Sequence, residues 1–189
     1  RTREVNRVQK VLESANIKLA AVVTAIMGVS GRAMLEAMIA GADDAAHLAN
    51  MARYRLRSKL PQLQEALQGR VQSHHRLLLR QLVEHVDFLD RHIAELSKEI
   101  EERTSAFEAE RELVTTIPGV KGRVFEVIVA EIGVDMSRFP SARHLCSWAA
   151  LCPPNNKSAG KQVSRAARHG NNWLRPALLQ AAWAATRHD

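Results

Sequence analysis

Leu79, Leu82, Val86, Leu89, Ile93, Leu96 and Ile100 recur at alternating steps of three and four. An a/d seam kept over about three heptads commits this stretch to a helix with one apolar stripe to bury against another helix. Leu56, Leu60, Leu63 and Leu67 give a preceding helix, with Pro61 at an early position or at a kink. Gly69, between them, either turns the chain into an antiparallel helical hairpin or is absorbed in one long helix. The pattern admits both. Glu84, Asp87, Asp90, Arg91, Glu95, Lys98, Glu99, Glu101 and Glu102 line the outer positions. A solvated coiled-coil face explains this charge run better than an ion site does.

Ahead of the seam, apolar residues from Val5 to Ile26 also recur at three or four, which predicts a helix over residues 3 to 27 ending at Gly28. Ser30-Gly31 makes a turn, Arg32 to Ala40 a short helix closed by Gly41, and Asp43 can cap the next helix. With six prolines, nine glycines and 4% aromatic residues, strands have little to build with. The fold class read here is mostly all-α: a helical cap and a long coiled-coil hairpin, then a small helical C-terminal domain. Residues 1–55 form the helical region, 56–108 the coiled coil and 109–189 the last domain.

A formal net charge of +7 and a pI near 10.0 point to a polyanion, because Lys and Arg gain from counterion release on phosphate. Cys146 and Cys152 match neither a redox pair nor a zinc framework. A reducing, cytoplasmic location follows. The run Leu19 to Val29 is broken by Thr24 and Gly28 and falls far short of the ~20 residues of a membrane span. No secretory signal is visible. Of the eight histidines, His74, His75, His85 and His92 lie along one helix, with His85 and His92 two turns apart and too distant for one ion. No protein-only zinc site is expected.

The richest chemistry lies between Pro153 and Arg175. Ser158 sits on a small-residue turn with Gly160, among Lys157, Lys161, Arg165, Arg168 and Arg175, and the only carboxylate from Pro153 onward is Asp189. A serine attacking a phosphodiester needs such cations to spread the developing charge. Lys161 also stands in a Ser-x-x-Lys spacing, which is common by chance and lacks the partners of a penicillin-binding site. It is assigned to phosphate contact. His169-Gly170-Asn171-Asn172 precedes an apolar helix, where Asn171 or Asn172 is a good N-cap.

Upstream, Ile117-Pro118-Gly119-Val120 reads as half of a helix-hairpin-helix, with Gly119, Lys121 and Arg123 offered to a DNA phosphate. The second glycine of that motif is displaced, since Lys121 holds its place and Gly122 comes one step late. An ordinary turn into a helix is the bland reading. Trp148, Trp173 and Trp183 could stack on bases, but their apolar spacing favours core packing.

Ser158-Ala159-Gly160-Lys161 after a Pro-containing loop, then Gly170-Asn171-x-x-Leu174-Arg175, resembles the C-terminal domain of the DEDD-type insertion-sequence transposases, recombinases guided by a bridge RNA. Leu113 to Gly119, Ala130 to Gly133 and Arg138 to Ser141 are similar to the start of that domain. Leu12 to Leu19, with Gly28 to Arg32, is similar to the family's middle region.

The resemblance implies that Ser158 is the nucleophile of a covalent phosphoserine step, that DNA and a guide RNA are partners, and that the coiled coil joins protomers in a homo-oligomer. Alone, a serine in a polar loop would be read as nothing more. The neighbouring blocks reverse that. The family's DEDD carboxylates belong to a nuclease-like domain that would use Mg²⁺ and has no counterpart in these residues. Glu126, Glu131 and Asp135 do not match it. The chain is therefore expected to be a fragment, inactive alone. The competing expectation is a non-catalytic nucleic-acid-binding and oligomerisation module.

Overall fold

The computed structural model describes residues 1–152, the backbone of 157–158 and 161–162, and residues 170–187. The chain divides into two compact units, residues 1–96 and 97–189. It is mostly helical, as expected, with one short antiparallel pair of strands.

In the first unit, α1 (Thr2–Ser14) stops well before Gly28. Asn16 takes φ 60°, the N–H of Ile17 bonds the carbonyl of Leu12 at 2.8 Å, and that of Asn16 bonds Glu13 at 2.9 Å. This is a Schellman ending with Asn in the left-handed position. The single helix expected over residues 3 to 27 is thus corrected to α1 and the short α2 (Leu19–Val22). The apolar period runs through the break because Ala15, Ile17 and Leu19 are all buried on either side of it. α3 (Val29–Ala40) ends on Gly41, at φ 112°, as read from the sequence. The cap of α4 (Ala45–Asn50) is Asp44, which accepts from the N–H groups of Ala46 and His47. Asp43, expected in that role, instead pairs with Arg76 at 2.5 Å.

α5 (Leu60–Ala66) carries Pro61 at its start, and Gly69 lies in the turn before α6 (Ser73–Thr104). A Cβ at Gly69 would run into the carbonyl oxygen of Ala15, so only glycine lets the two connections lie together. The two helices that Gly69 separates are unequal: α5 has 7 residues and α6 has 32. His75 is buried at the start of α6, where its Nδ1 accepts from the N–H of Gln72 at 3.2 Å.

The seam divides along its length. Leu79 and Val86 are buried, and Leu79 joins Val8, Leu12, Met34, Leu35, Met38, Leu48 and Leu63 in the N-terminal core. Further on, Ile93 is 46% exposed, Leu96 63% and Ile100 37%. Two carboxylates of the supposed solvated face also have structural work. Asp87 takes both ends of the Arg32 guanidinium at 2.6 and 2.7 Å, and Asp90 holds Arg1.

The second unit follows the end of α6 with α7 (Glu108–Thr115), α8 (Gly122–Ile132), α9 (Ala142–Trp148) and α10 (Leu174–Ala185). Ile132, Ala149 and Leu174 centre its core, with Val127, Ile128, Phe139, Leu145, Leu151 and Leu178 around them. Phe125 is buried, with the Arg111 guanidinium 5.4 Å from its ring centre. No helix among the described residues is long and apolar enough to cross a membrane.

Candidate nucleic-acid interface

The turn between α7 and α8 is built from Ile117-Pro118-Gly119-Val120. The N–H of Val120 donates to the carbonyl of Ile117 at 3.0 Å, and Gly119 takes φ 80°. Pro second and a left-handed Gly third make a type II turn. A Cβ on Gly119 would collide with the carbonyl oxygen of Ala181, so the turn rests directly on the backbone of α10. α8 then starts at Gly122 without a side-chain cap, leaving its first-turn N–H groups for another acceptor.

Of the two cations proposed here, Lys121 is exposed with no ion pair among the described residues. Arg123 is already engaged, by Glu126 at 2.7 Å and by the hydroxyl of Ser97.

At the opposite end of α8, Asn171 closes the second contact. Its Oδ1 accepts from the N–H of Trp173 at 2.8 Å and of Leu174 at 2.7 Å, and its Nδ2 donates to the carboxylate of Glu131. Asn171 thus caps α10 and ties it to α8, with both ends of its amide occupied. Gly170 before it has no room for a Cβ, which would meet Ala150 and the carbonyl of Ala149, 2.7 Å away. Arg175 is half-buried on the first turn of α10, with no ion pair among the described residues.

These contacts set the direction of α8 against α10. Gly119 meets Ala181 while Glu131 meets Asn171, so α8 and α10 run antiparallel. Arg175 lies six residues before Ala181, so it stands roughly 9 Å along α10, at 1.5 Å per residue, from the level of Gly119.

Lys157-Ser158 pairs antiparallel with Lys161-Gln162, in the register Lys157 to Gln162 and Ser158 to Lys161. Two residues, Ala159 and Gly160, intervene. This strand pair departs from the strand-free fold expected, and Ala-Gly is not among the usual two-residue hairpin signals. Gly160, Arg165 and Arg168 lie outside the described residues.

The tryptophans overturn their expected burial. Trp173 is 70% exposed and Trp183 is 68% exposed; Trp148 is also exposed, its ring edge-on to Phe139 at 5.9 Å. One face of α10 buries Leu174 and Ala181, and with 3.6 residues per turn Leu179 and Trp183 fall on the other. Apolar spacing misled because this helix is apolar all round, which periodicity cannot distinguish from a core helix. The same unit holds an apolar hollow of about 350 Å³ lined by Leu113, Val114, Ile117, Phe125, Ile128 and Leu178, among others. Among the described residues, no three or more His, Cys, Asp or Glu side chains gather to hold a metal ion.

Residues 111–189 match the model of a transposase family, described as the Transposase IS116/IS110/IS902 family. The second unit therefore carries the likeness of a transposase domain. In addition, 79 residues of the chain are 37% identical to the uncharacterized 43.6 kDa protein of insertion element IS110 from Streptomyces coelicolor. The alignment covers 41% of this chain and 19% of that relative, so the chain matches about a fifth of the relative's length. No solved structure matches the chain.

Proposed function

We propose that this chain is the helical and serine-bearing portion of a DNA transposase, cutting and rejoining strands through Ser158. The observation that carries the reading is the transposase-family match over residues 111–189, which encloses Ser158 among Lys157, Lys161, Arg165, Arg168 and Arg175. The Ser158 oxygen attacks a backbone phosphorus, forms a phosphoserine ester and releases one sugar hydroxyl. Attack by the hydroxyl of the exchanging strand reverses the step and restores the serine, so the bond energy is conserved through the exchange. The cations stabilise the charge on the phosphoryl oxygens at each stage.

Lys121, beside the uncapped start of α8, and Arg175, on the first turn of α10, take backbone phosphate. Asn171, and Arg123 through its pairing with Glu126, serve the scaffold of α8 and α10. The described residues do not fit a Mg²⁺ site, so any metal would be held by carboxylates elsewhere in the assembled enzyme, and no step here is routed through it. Guidance by RNA and joining of protomers through the exposed end of α6 belong to the same proposal, as does action in the cytoplasm. On this reading residues 1–189 alone do not exchange strands.

The test is Ser158→Ala in a protein active for strand exchange. Exchange should be abolished while DNA affinity stays within about twofold. Full exchange by the Ser158→Ala variant would leave the competing reading, a nucleic-acid-binding and oligomerisation module without catalysis in this segment.

A further inference from the structure

From Ala45 to Gln64 the chain carries no carboxylate. In the middle of this stretch stands Arg53-Tyr54-Arg55-Leu56-Arg57-Ser58-Lys59, whose residues Tyr54–Lys59 form a 3₁₀ turn. Leu56 packs against the N-terminal core, and the N–H of Arg53 donates to the Ser30 hydroxyl at 3.0 Å, which fixes the segment against the start of α3. The remaining side chains point outward. Arg53, Tyr54, Arg55, Arg57 and Lys59 are all exposed.

These four cations have no ion pair among the described residues, whereas Arg1, Arg7, Arg32 and Arg76 of the same unit each hold a carboxylate. A cluster of like charges left without counter-charges is relieved by a polyanion. Tyr54 adds a second, independent observation. It is 84% exposed at φ 52°, a left-handed conformation that bulky residues adopt only at a cost. Tyr54 also lines a hollow of about 400 Å³ with Val22, Val29, Gly31, Arg55 and Lys59.

We propose that this face of the first unit binds an unpaired strand of nucleic acid, with a base against Tyr54 and the hollow and the adjoining phosphates on Arg55, Arg57 and Lys59. An exposed aromatic ring among cations is the physical arrangement that holds single strands, because every base offers a face to stack and each phosphate offers a charge. A duplex hides its base faces. An acidic peptide would satisfy the cations but leave the exposed ring and the apolar hollow without a role. The site lies outside residues 111–189 and does not depend on Ser158.

The test measures binding of the whole chain to fluorescent oligothymidine, oligouridine and a short DNA duplex over a range of salt. Tyr54→Ala should weaken both single strands about tenfold and leave the salt slope unchanged. Arg55→Ala with Arg57→Ala should reduce that slope by about 1.4, near 0.7 for each lost contact. Lys10→Ala with Lys18→Ala removes the same charge from exposed positions elsewhere in the unit and should do much less.

Tyr54→Asn separates binding from folding. Asn tolerates a left-handed backbone, so the melting temperature should not fall while single-strand binding does. The proposal is overturned if the Tyr54 variants bind single strands as tightly as the unaltered chain, if they lose duplex affinity equally, or if the arginine pair matters no more than the lysine pair. Ser158→Ala should change none of these, so failure here and failure of the strand-exchange reading are separate outcomes.

Discussion

Asn171 donates its side-chain amide to the carboxylate of Glu131 while its carbonyl oxygen takes the N–H groups of Trp173 and Leu174. One residue therefore starts α10 and fastens it to the far end of α8. Asn171→Ala should cost about 1–2 kcal/mol, from the lost cap and the carboxylate left without its donor. Thermal and urea unfolding measure it. A direct phosphate contact would instead show as weakened DNA binding with stability unchanged.

Gly119 is under a double constraint. Its φ of 80° disfavours any L side chain, and the carbonyl of Ala181 occupies the space of a Cβ. Gly119→Ala should therefore destabilise the second unit by at least ~2 kcal/mol, combining left-handed strain with overpacking. The melting transition of that unit should fall, while Gly122→Ala, with open space at its Cβ, should not lower it.

The two halves of the α6 seam should answer differently to substitution. Leu79 is fully buried, so Leu79→Ala should cost about 2–5 kcal/mol of stability. Leu96→Glu with Ile100→Glu changes exposed positions and should leave the fold of the chain intact. If the exposed half joins protomers, the same double variant should sediment as a monomer. Unaltered self-association would place the protomer contact elsewhere.

The Arg32–Asp87 pair gives a pH prediction with a definite sign. The Arg32 guanidinium, through its hydrogen bonds, holds the Asp87 carboxyl below the usual carboxylate range. A depressed folded-state pKa contributes stability above the unfolded value, near 3.8, and loses it as pH falls through the folded one. Asp87→Asn should thus cost up to about 1 kcal/mol at neutral pH, as partly exposed pairs do. The difference from the unaltered protein should shrink to nothing in strong acid. Urea titrations at several pH values would show it.

Much of the fold was legible from patterns that bind locally. The 3.5-residue seam, Gly41 as a helix stop and the Pro-Gly turn before α8 each follow from backbone geometry that a few neighbouring residues dictate. What could not be read depended on distant chain. Whether a seam position is covered depends on how far the N-terminal helices reach along α6, and Leu79 and Leu96 look alike in sequence. Trp173 and Trp183 sit in an apolar helix whose second face lacks a partner among the described residues, which no periodicity reveals. The turn at Gly119 was legible in the sequence, but the level of Lys121 relative to Arg175 required the antiparallel packing of α8 on α10.

The most direct test of the central claim is to trap the covalent intermediate. An exchange-competent protein containing these residues is incubated with a nicked or otherwise suicidal DNA substrate, digested, and mapped for the modified residue. The account predicts a nucleotide esterified to Ser158 that disappears in Ser158→Ala. A DNA link at another residue, or efficient exchange with no protein–DNA link at all, would contradict it.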